Sequence, residues 1–420
     1  MPPAPLDGVL VADFSRVLAG PFASMLLGDL GADVVKVERP GVGDVTRGWD
    51  SIARGESSGF VWMNRGKRSV ALDLKDDSSS PTLEALIRAS DVFLQNFTPG
   101  WAADHGVDEP AVRALRPDIV YTEISGYGPD GPYAERNAYD LVVQGETGLI
   151  SITGTPEEPA RVGVSICDVG AGSYAAVATA AALARRAQTG EGERVSISLF
   201  DTMVDWLGYF PHQWWHRHEV PPRTGMRHPH FCPYGPFPAG DGRLFGFAVL
   251  SDEHWRAFAL EVVDRPDLHA DERFGSNEAR VAHRDHLEPE LVRAFAARPA
   301  DEWLERLQAA RIPCGAVNAI PEVMEHPQLA HNRLVVDVGS PAGPIPTVGN
   351  PFLVGGERPG LGPVPGLGEH TAEVLRELGV EPVLANPRAP RPASAVRRPA
   401  RAVLPQPRSQ PRGRDSRLQG

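Results

Sequence analysis

Between Gly8 and Ser125 the sequence alternates short apolar runs with segments of helical period. GVLVADFS reads as a strand, PFASMLLGDLG as a helix stopped at Gly31, and ADVVKVERP as a second strand. The pattern continues with a strand over SVALDLK, a helix over PTLEALIRASD, a strand over VFLQNF, a helix near VRALRPD and a strand over IVYTEIS. Successive strands joined through a helix run parallel, so this order predicts an α/β fold with helices on the faces of a parallel sheet. An Ala-rich stretch, GAGSYAAVATAAALARRAQTG, predicts a long helix ended by Gly190, and RVSISLFD a further strand.

From about Asp205 the texture changes. DWLGYFPHQWWHRHEVPPRTGMRHPHFCPYGPFPAGDG, rich in aromatics, His and Pro, is too irregular for one helix and reads as a linker. The predicted layout is a large domain over 1–205, a linker over 206–226, a smaller α+β domain over 227–327, and a return to the large domain over 328–383. Residues 384–420, rich in Pro and Arg and without periodicity, are expected to be disordered. Residues 386–420 hold nine arginines against the single acid Asp415, a local charge of +8; the rest carries −20, which together make the −12 of the whole chain. Such an acidic body offers no basic face for nucleic acid. Cys167, Cys232 and Cys314 are too few and too scattered for a disulfide scaffold, which points to the cytoplasm. No secretory leader is read at the N-terminus. The longest apolar run, around Tyr174–Ala184, falls short of the ~20 residues of a membrane span, so no membrane partner is expected.

Three constellations carry chemistry. Gly41-x-Gly43 lacks the third glycine of a dinucleotide fingerprint, Thr46 standing in its place, and reads as a turn. His212, His216, His218, His228, His230 and Cys232 resemble a ligand cluster, but interleaved Trp and Pro residues and the absence of a CxxC pair argue against metal. Arg227, His228 and His230 make better sense as an anion pocket. Asp168, in SICDVGAGSYAA, reads first as a helix N-cap. The adjacent Gly170 and Gly172 would let a large ligand approach it, and a carboxylate near its ordinary pKa of ~4 is charged at neutral pH and able to act as a nucleophile.

Seven separated stretches, in one order, resemble the family III CoA-transferases, a group that also contains the 2-methylacyl-CoA racemases. They are LDGVLVADFSRVLAGPFASMLLGDLGADVVKVERPGVGDVTRGW, NRGKRSVALDLK, FLQNFTPG, ISGYGPDGPYAERNAYD, ICDVGAGSYAA, TGEGERVSISLFD and IPCGAVN. The resemblance covers roughly residues 6–380. It implies a Rossmann-like large domain built from both chain ends, a smaller inserted α+β domain, and a homodimer whose subunits interlock. Asp168 matches the family's catalytic aspartate, which attacks the acyl-CoA thioester. Contacts to CoA would fall on Leu18, Ala19, Arg39, Leu72, Asp73, Leu74, Lys75, Asn96, Phe97, Arg136, Asn137, Ala138 and Tyr139. Arg39 and Lys75 suit its phosphates, Leu72 and Phe97 its adenine. CoA is then a substrate, and no metal or further cofactor is called for.

Departures from the family pattern narrow the substrate. Leu18 stands where some transferases have Gln, Asp104 where formyl-CoA transferases have a phosphate-binding Arg, and GMRHPHFCPYGPF replaces their run of glycines. The expected reaction is transfer of CoA from an acyl-CoA such as succinyl-CoA to a small dicarboxylate, with Arg227, His228 and His230 holding the distal carboxylate. A racemase would need a His where Tyr139 stands, and a phenol of pKa ~10 is a poor proton abstractor. A catalytically idle CoA-binding protein is the remaining alternative.

Overall fold

The computed structural model describes residues 4–380. Its centre is a six-stranded sheet in the order β3-β2-β1-β4-β5-β6, with every neighbouring pair parallel. The strands are β1 (Leu10–Asp13), β2 (Asp33–Glu38), β3 (Arg68–Ala71), β4 (Val92–Gln95), β5 (Val120–Ser125) and β6 (Arg194–Ser198). Each was legible as a short β-branched or aromatic run. Alternate residues face opposite layers, as a strand requires. Val11, Val92, Leu94, Val120 and Ile124 enter the core beneath α1 (Ala19–Asp29) and a long helix over Ile166–Thr189. Ala12, Phe93 and Tyr121 enter a second core on the other face, with Leu86, Ile87 and Val112 from helices Ser80–Ala89 and Glu109–Leu115.

The long helix ends at Gly190 as its sequence predicts, but its start and its length differ from that reading. It begins at Ile166, four residues ahead of the expected Gly170, and its 24 residues are long and apolar enough to cross a membrane by length and composition. In the fold its small-residue stripe, Gly172, Ala175, Ala176 and Thr179, is buried against α1 and the sheet. A Cβ on Gly172 would lie 2.5 Å from the Ala19 carbonyl oxygen, so glycine there sets how closely the two helices cross.

The segment read as an irregular linker begins at the end of one helix, Leu199–Trp206, and contains a second, Phe210–Arg217. Pro211 sits in the first turn of the second, where a missing N–H costs nothing. Beyond them Cys232 to Ile312 supply a separate core under the antiparallel sheet β7 (Tyr234–Pro238), β8 (Leu244–Ala248) and β9 (Cys314–Ala316). The apolar run RLFGFAVL marks β8 in the sequence. β7 reads YGPFP, and its prolines hid an edge strand.

The chain then returns to the parallel sheet. A hairpin of β10 (Val335–Val338) and β11 (Ile345–Val348) packs on Phe60 and Val61. The segment leading into helix Thr371–Glu377 covers the β3 edge: His370 N–H donates to the Ser69 carbonyl (3.0 Å) and Ala71 N–H to Thr371 Oγ1 (3.0 Å). The tail expected to be disordered, 384–420, lies outside the described residues.

Candidate active site

Ligands of open parallel sheets bind beyond the carboxyl ends of the strands, where the strand order reverses. Here that point lies between β1 and β4, and a cleft of about 300 Å³ opens there. Its walls are the β1–α1 turn (Arg16 to Ala19), the segment after β4 (Asn96 to Pro99), the end of β5 (Ile124 to Gly126) and residues 136–139, with Asp168 and Leu199 completing it.

Asp168 is the third residue of the long helix rather than its N-cap, which is Ser165. The cap comes from elsewhere. Asp140 opens α2 (Asp140–Glu146), and its Oδ1 accepts the Cys167 N–H at 2.8 Å while Oδ2 accepts from Gln144 at 2.7 Å. Gln144 Oε1 in turn accepts the Val162 N–H (2.9 Å), so one buried network ties the start of the Asp168 helix to α2 and the wall beside it. The Asp168 carboxylate is half-buried and hydrogen-bonded to no described residue. Burial, and then the charge of Asp140, push its pKa up to about 7. The expectation of an aspartate near pKa ~4 is therefore corrected: low polarity and a like charge favour the protonated form.

The neighbouring glycines are also reassigned. A Cβ on Gly170 would meet Thr202, Met203 and Trp206 at 3.0–3.2 Å, and Gly172 faces α1, so both serve helix packing rather than ligand approach. Beyond Asp168 the helix amides are taken: Val169 N–H, for example, donates to the Ser165 carbonyl.

Among the expected CoA contacts, Leu18, Ala19, Asn96, Phe97, Arg136, Asn137, Ala138 and Tyr139 line this cleft with Asp168. Arg39, Leu72, Asp73, Leu74 and Lys75 do not, but they follow directly on the carboxyl ends of β2 and β3, along the same sheet edge. Leu72, Leu74 and Phe97 pack partly buried against one core, and Arg39 and Lys75 are exposed. Asn96 is less available than a ligand contact should be, since its amide is spent on the Arg16 backbone. Arg227, His228 and His230 are not in the cleft. The Arg227 guanidinium pairs with Glu288 (2.8 Å), donates to the Pro236 carbonyl and lies over Phe237. His228 stacks on Tyr234 and its Nδ1 accepts the His230 N–H at 3.0 Å; burial, then His230 and Arg284, lower its pKa, leaving a neutral ring. His230 is exposed beside Tyr209. Among the described residues no three His, Cys, Asp or Glu side chains gather as metal ligands.

Motif reading passed over Arg16, Val17, Thr98, Ser125 and Gly126 in the cleft, and the buried charges beneath it. Lys67 reaches Asp13 (3.1 Å), Ser24 (2.8 Å) and Asn64 (2.9 Å), and Lys36 reaches Asp44 (2.9 Å) and the Ser15 carbonyl (3.0 Å). Burial opposes the Asp13 charge, but Lys67 and Lys36 hold its carboxyl down at about 2. Two of the chain's three lysines are thus internal struts under the β1–α1 turn, and only Lys75 faces outward.

A profile of CoA-transferase family III matches residues 6–371. The chain belongs to that family. As a CoA-transferase it is 36% identical over 393 residues to the succinate–glutarate CoA-transferase of Agrobacterium fabrum, covering 89% of this chain and 96% of that protein. It is 35% identical over 383 residues to human succinyl-CoA:glutarate CoA-transferase, covering 89% of this chain and 86% of that one. The crystal structure of a CaiB/BaiF family protein from Brucella suis superposes with a TM-score of 0.80 at 34% identity, covering 90% of this chain and all of that one.

Proposed function

We propose that this transferase moves CoA from succinyl-CoA to a small dicarboxylic acid, with Asp168 as nucleophile. The observation that carries the reading is Asp168 itself: a carboxylate hydrogen-bonded to no described residue, lining the cleft at the sheet's switch point together with Leu18, Ala19, Phe97 and Asn137. In the proposed sequence the Asp168 carboxylate attacks the thioester carbonyl, forming a mixed anhydride and releasing CoA thiolate. The thiolate attacks the Asp168 carbonyl, giving an aspartyl-CoA thioester and the free donor acid. The acceptor carboxylate attacks that thioester to form a second anhydride. Returning thiolate then cleaves it at the acceptor carbonyl, so acceptor-CoA leaves and Asp168 is regenerated. Because the helix amides beyond Asp168 are committed, the Asp168 amide, which has no acceptor among the described residues, is the oxyanion donor this reading favours.

The strand order, with its reversal between β1 and β4, supports a Rossmann-like cradle for CoA, its phosphates toward Arg39 and Lys75 and its adenine toward Leu72 and Phe97. The names of the Agrobacterium and human relatives support succinyl-CoA as donor and a dicarboxylate as acceptor. An interlocked homodimer in the cytoplasm, with 1–205 and 328–383 as the large domain and 227–327 as the small one, completes the proposal. Tyr139, exposed on the cleft wall, supports transfer over racemisation. The test is incubation with succinyl-CoA and itaconate, mesaconate, citramalate, malate, glutarate or oxalate, read by mass spectrometry. A new CoA thioester that Asp168→Ala abolishes supports the reading. Transfer to none of these acids, with deuterium uptake at C2 of a 2-methylacyl-CoA, would replace it by a racemase.

A further inference from the structure

A dicarboxylic substrate brings a second negative charge into a cleft that already holds an aspartate, and a carboxylate leaving water there needs a cation to meet it. Arg227 and His228 are engaged by Glu288 and Tyr234 outside the cleft, and His230 is exposed beside Tyr209. Two cations line the cleft itself, Arg16 and Arg136. Arg136 lies 3.5 Å over the Tyr133 ring and has Glu146 at 3.9 Å. Arg16 differs: among the described residues no carboxylate lies within 4.0 Å of its guanidinium.

While the head of Arg16 is free, its root is fixed. Its N–H donates to Asn96 Oδ1 at 2.7 Å, and its carbonyl accepts from Asn96 Nδ2 at 2.8 Å, a two-point clamp across the switch point. The next residue, Val17, sits at φ 68°, a conformation a β-branched residue adopts only when its surroundings impose it, and its N–H points to Asp44 Oδ1. The influences that raise the Asp168 pKa are burial and Asp140, with no arginine offsetting them. Arg16 and Asp168 both line the cleft, yet no ion pair joins them within 4.0 Å, so the guanidinium is left to meet the far end of a substrate.

We propose that Arg16 is the specificity residue of this site: its planar fork receives the distal carboxylate of a dicarboxylic acyl group, and Asn96 positions it to do so. The proposal rests on the CoA-transferase reading and names its substrate class. The phosphates of CoA could engage the same guanidinium, and the experiment separates the two.

Calorimetry of the full chain carrying Asp168→Ala, which binds without turnover, compares succinyl-CoA, butyryl-CoA and free CoA with and without Arg16→Gln. Butyryl-CoA has the same four-carbon chain without the second carboxylate. Loss of one charge-assisted pair should weaken succinyl-CoA roughly tenfold to a hundredfold. Butyryl-CoA and CoA should stay within about twofold, since neither presents the second charge. Equal weakening of all three ligands would assign Arg16 to the phosphates and overturn the proposal. So would unchanged binding of all three, or no preference for succinyl-CoA over butyryl-CoA while Arg16 is intact. Because the readout is binding, it stands whether or not transfer is observed; failure of the transfer assay with Asp168 intact counts against the catalytic reading alone.

Discussion

The ionisation of Asp168 gives the account its sharpest kinetic consequence. With a pKa of about 7 set by burial and then by Asp140, the carboxylate proposed as nucleophile is the minority species in mild acid. About one molecule in ten carries it at pH 6, one in two at pH 7 and nine in ten at pH 8. The kcat/KM for the acyl-CoA, which reports the free enzyme, should therefore rise about fivefold from pH 6 to 7 and less than about twofold from pH 7 to 8. Asp140→Asn removes the like charge while keeping an oxygen to accept the Cys167 N–H. The hydrogen bond from Gln144 is lost, at a cost of about 1 kcal/mol in stability. With the charge gone, ionised Asp168 becomes less costly and the acid limb moves to lower pH. The ratio of kcat/KM at pH 6 to that at pH 8, about 0.1 in the native protein, should rise toward an upper bound of about 1. Initial rates of CoA release from pH 5.5 to 8.5, for both proteins, make the test. A flat native profile, or an acid limb that Asp140→Asn leaves in place, would refute the electrostatic reasoning.

Three further outcomes follow from the same contacts. Because the folded pKa of Asp168 is raised above its unfolded 3.8, the stability linked to it is complete below about pH 4 and lost as pH rises through about 7. Asp168→Asn should accordingly raise the melting temperature more at pH 8 than at pH 4, measured by calorimetry. Gly172→Ala should cost about 1–3 kcal/mol in chemical denaturation, since its methyl group would meet the Ala19 carbonyl and the Phe22 ring; an unchanged midpoint would contradict the close helix crossing. Lys67→Met leaves the buried Asp13 without its nearest cation and should cost about 3–5 kcal/mol by the same measurement, whereas a surface-like effect would show that Lys67 is not internal.

How far the sequence revealed this arrangement depends on what each signal is made of. The parallel strands were legible because burial on both faces demands near-continuous apolar runs such as VVKV and VFLQ. Asp168 and the wall residues 136–139 stood out through motif resemblance alone; their meeting depends on α2 capping the Asp168 helix from 27 residues away, a contact with no local signature. The pKa of Asp168 was misjudged for the same reason, since desolvation and Asp140 enter only through the fold. Arg16 was adjacent to a recognised position, yet nothing in SRVL distinguishes a free guanidinium from a paired one. Arg227 shows the converse: its neighbours suggested an anion pocket, while its partner Glu288 comes from a helix 61 residues later. Lys36 and Lys67 carry no local mark of burial, and only packing turns them inward.

On the proposed mechanism Asp168 carries the CoA group during transfer. Protein incubated with succinyl-CoA, quenched in acid and digested should yield the peptide containing Asp168 heavier by one CoA less one water, and hydroxylamine should convert that adduct to a hydroxamate. Formation of acceptor-CoA at full rate, with no adduct on that peptide at any quench time and undiminished activity in Asp168→Ala, would contradict it.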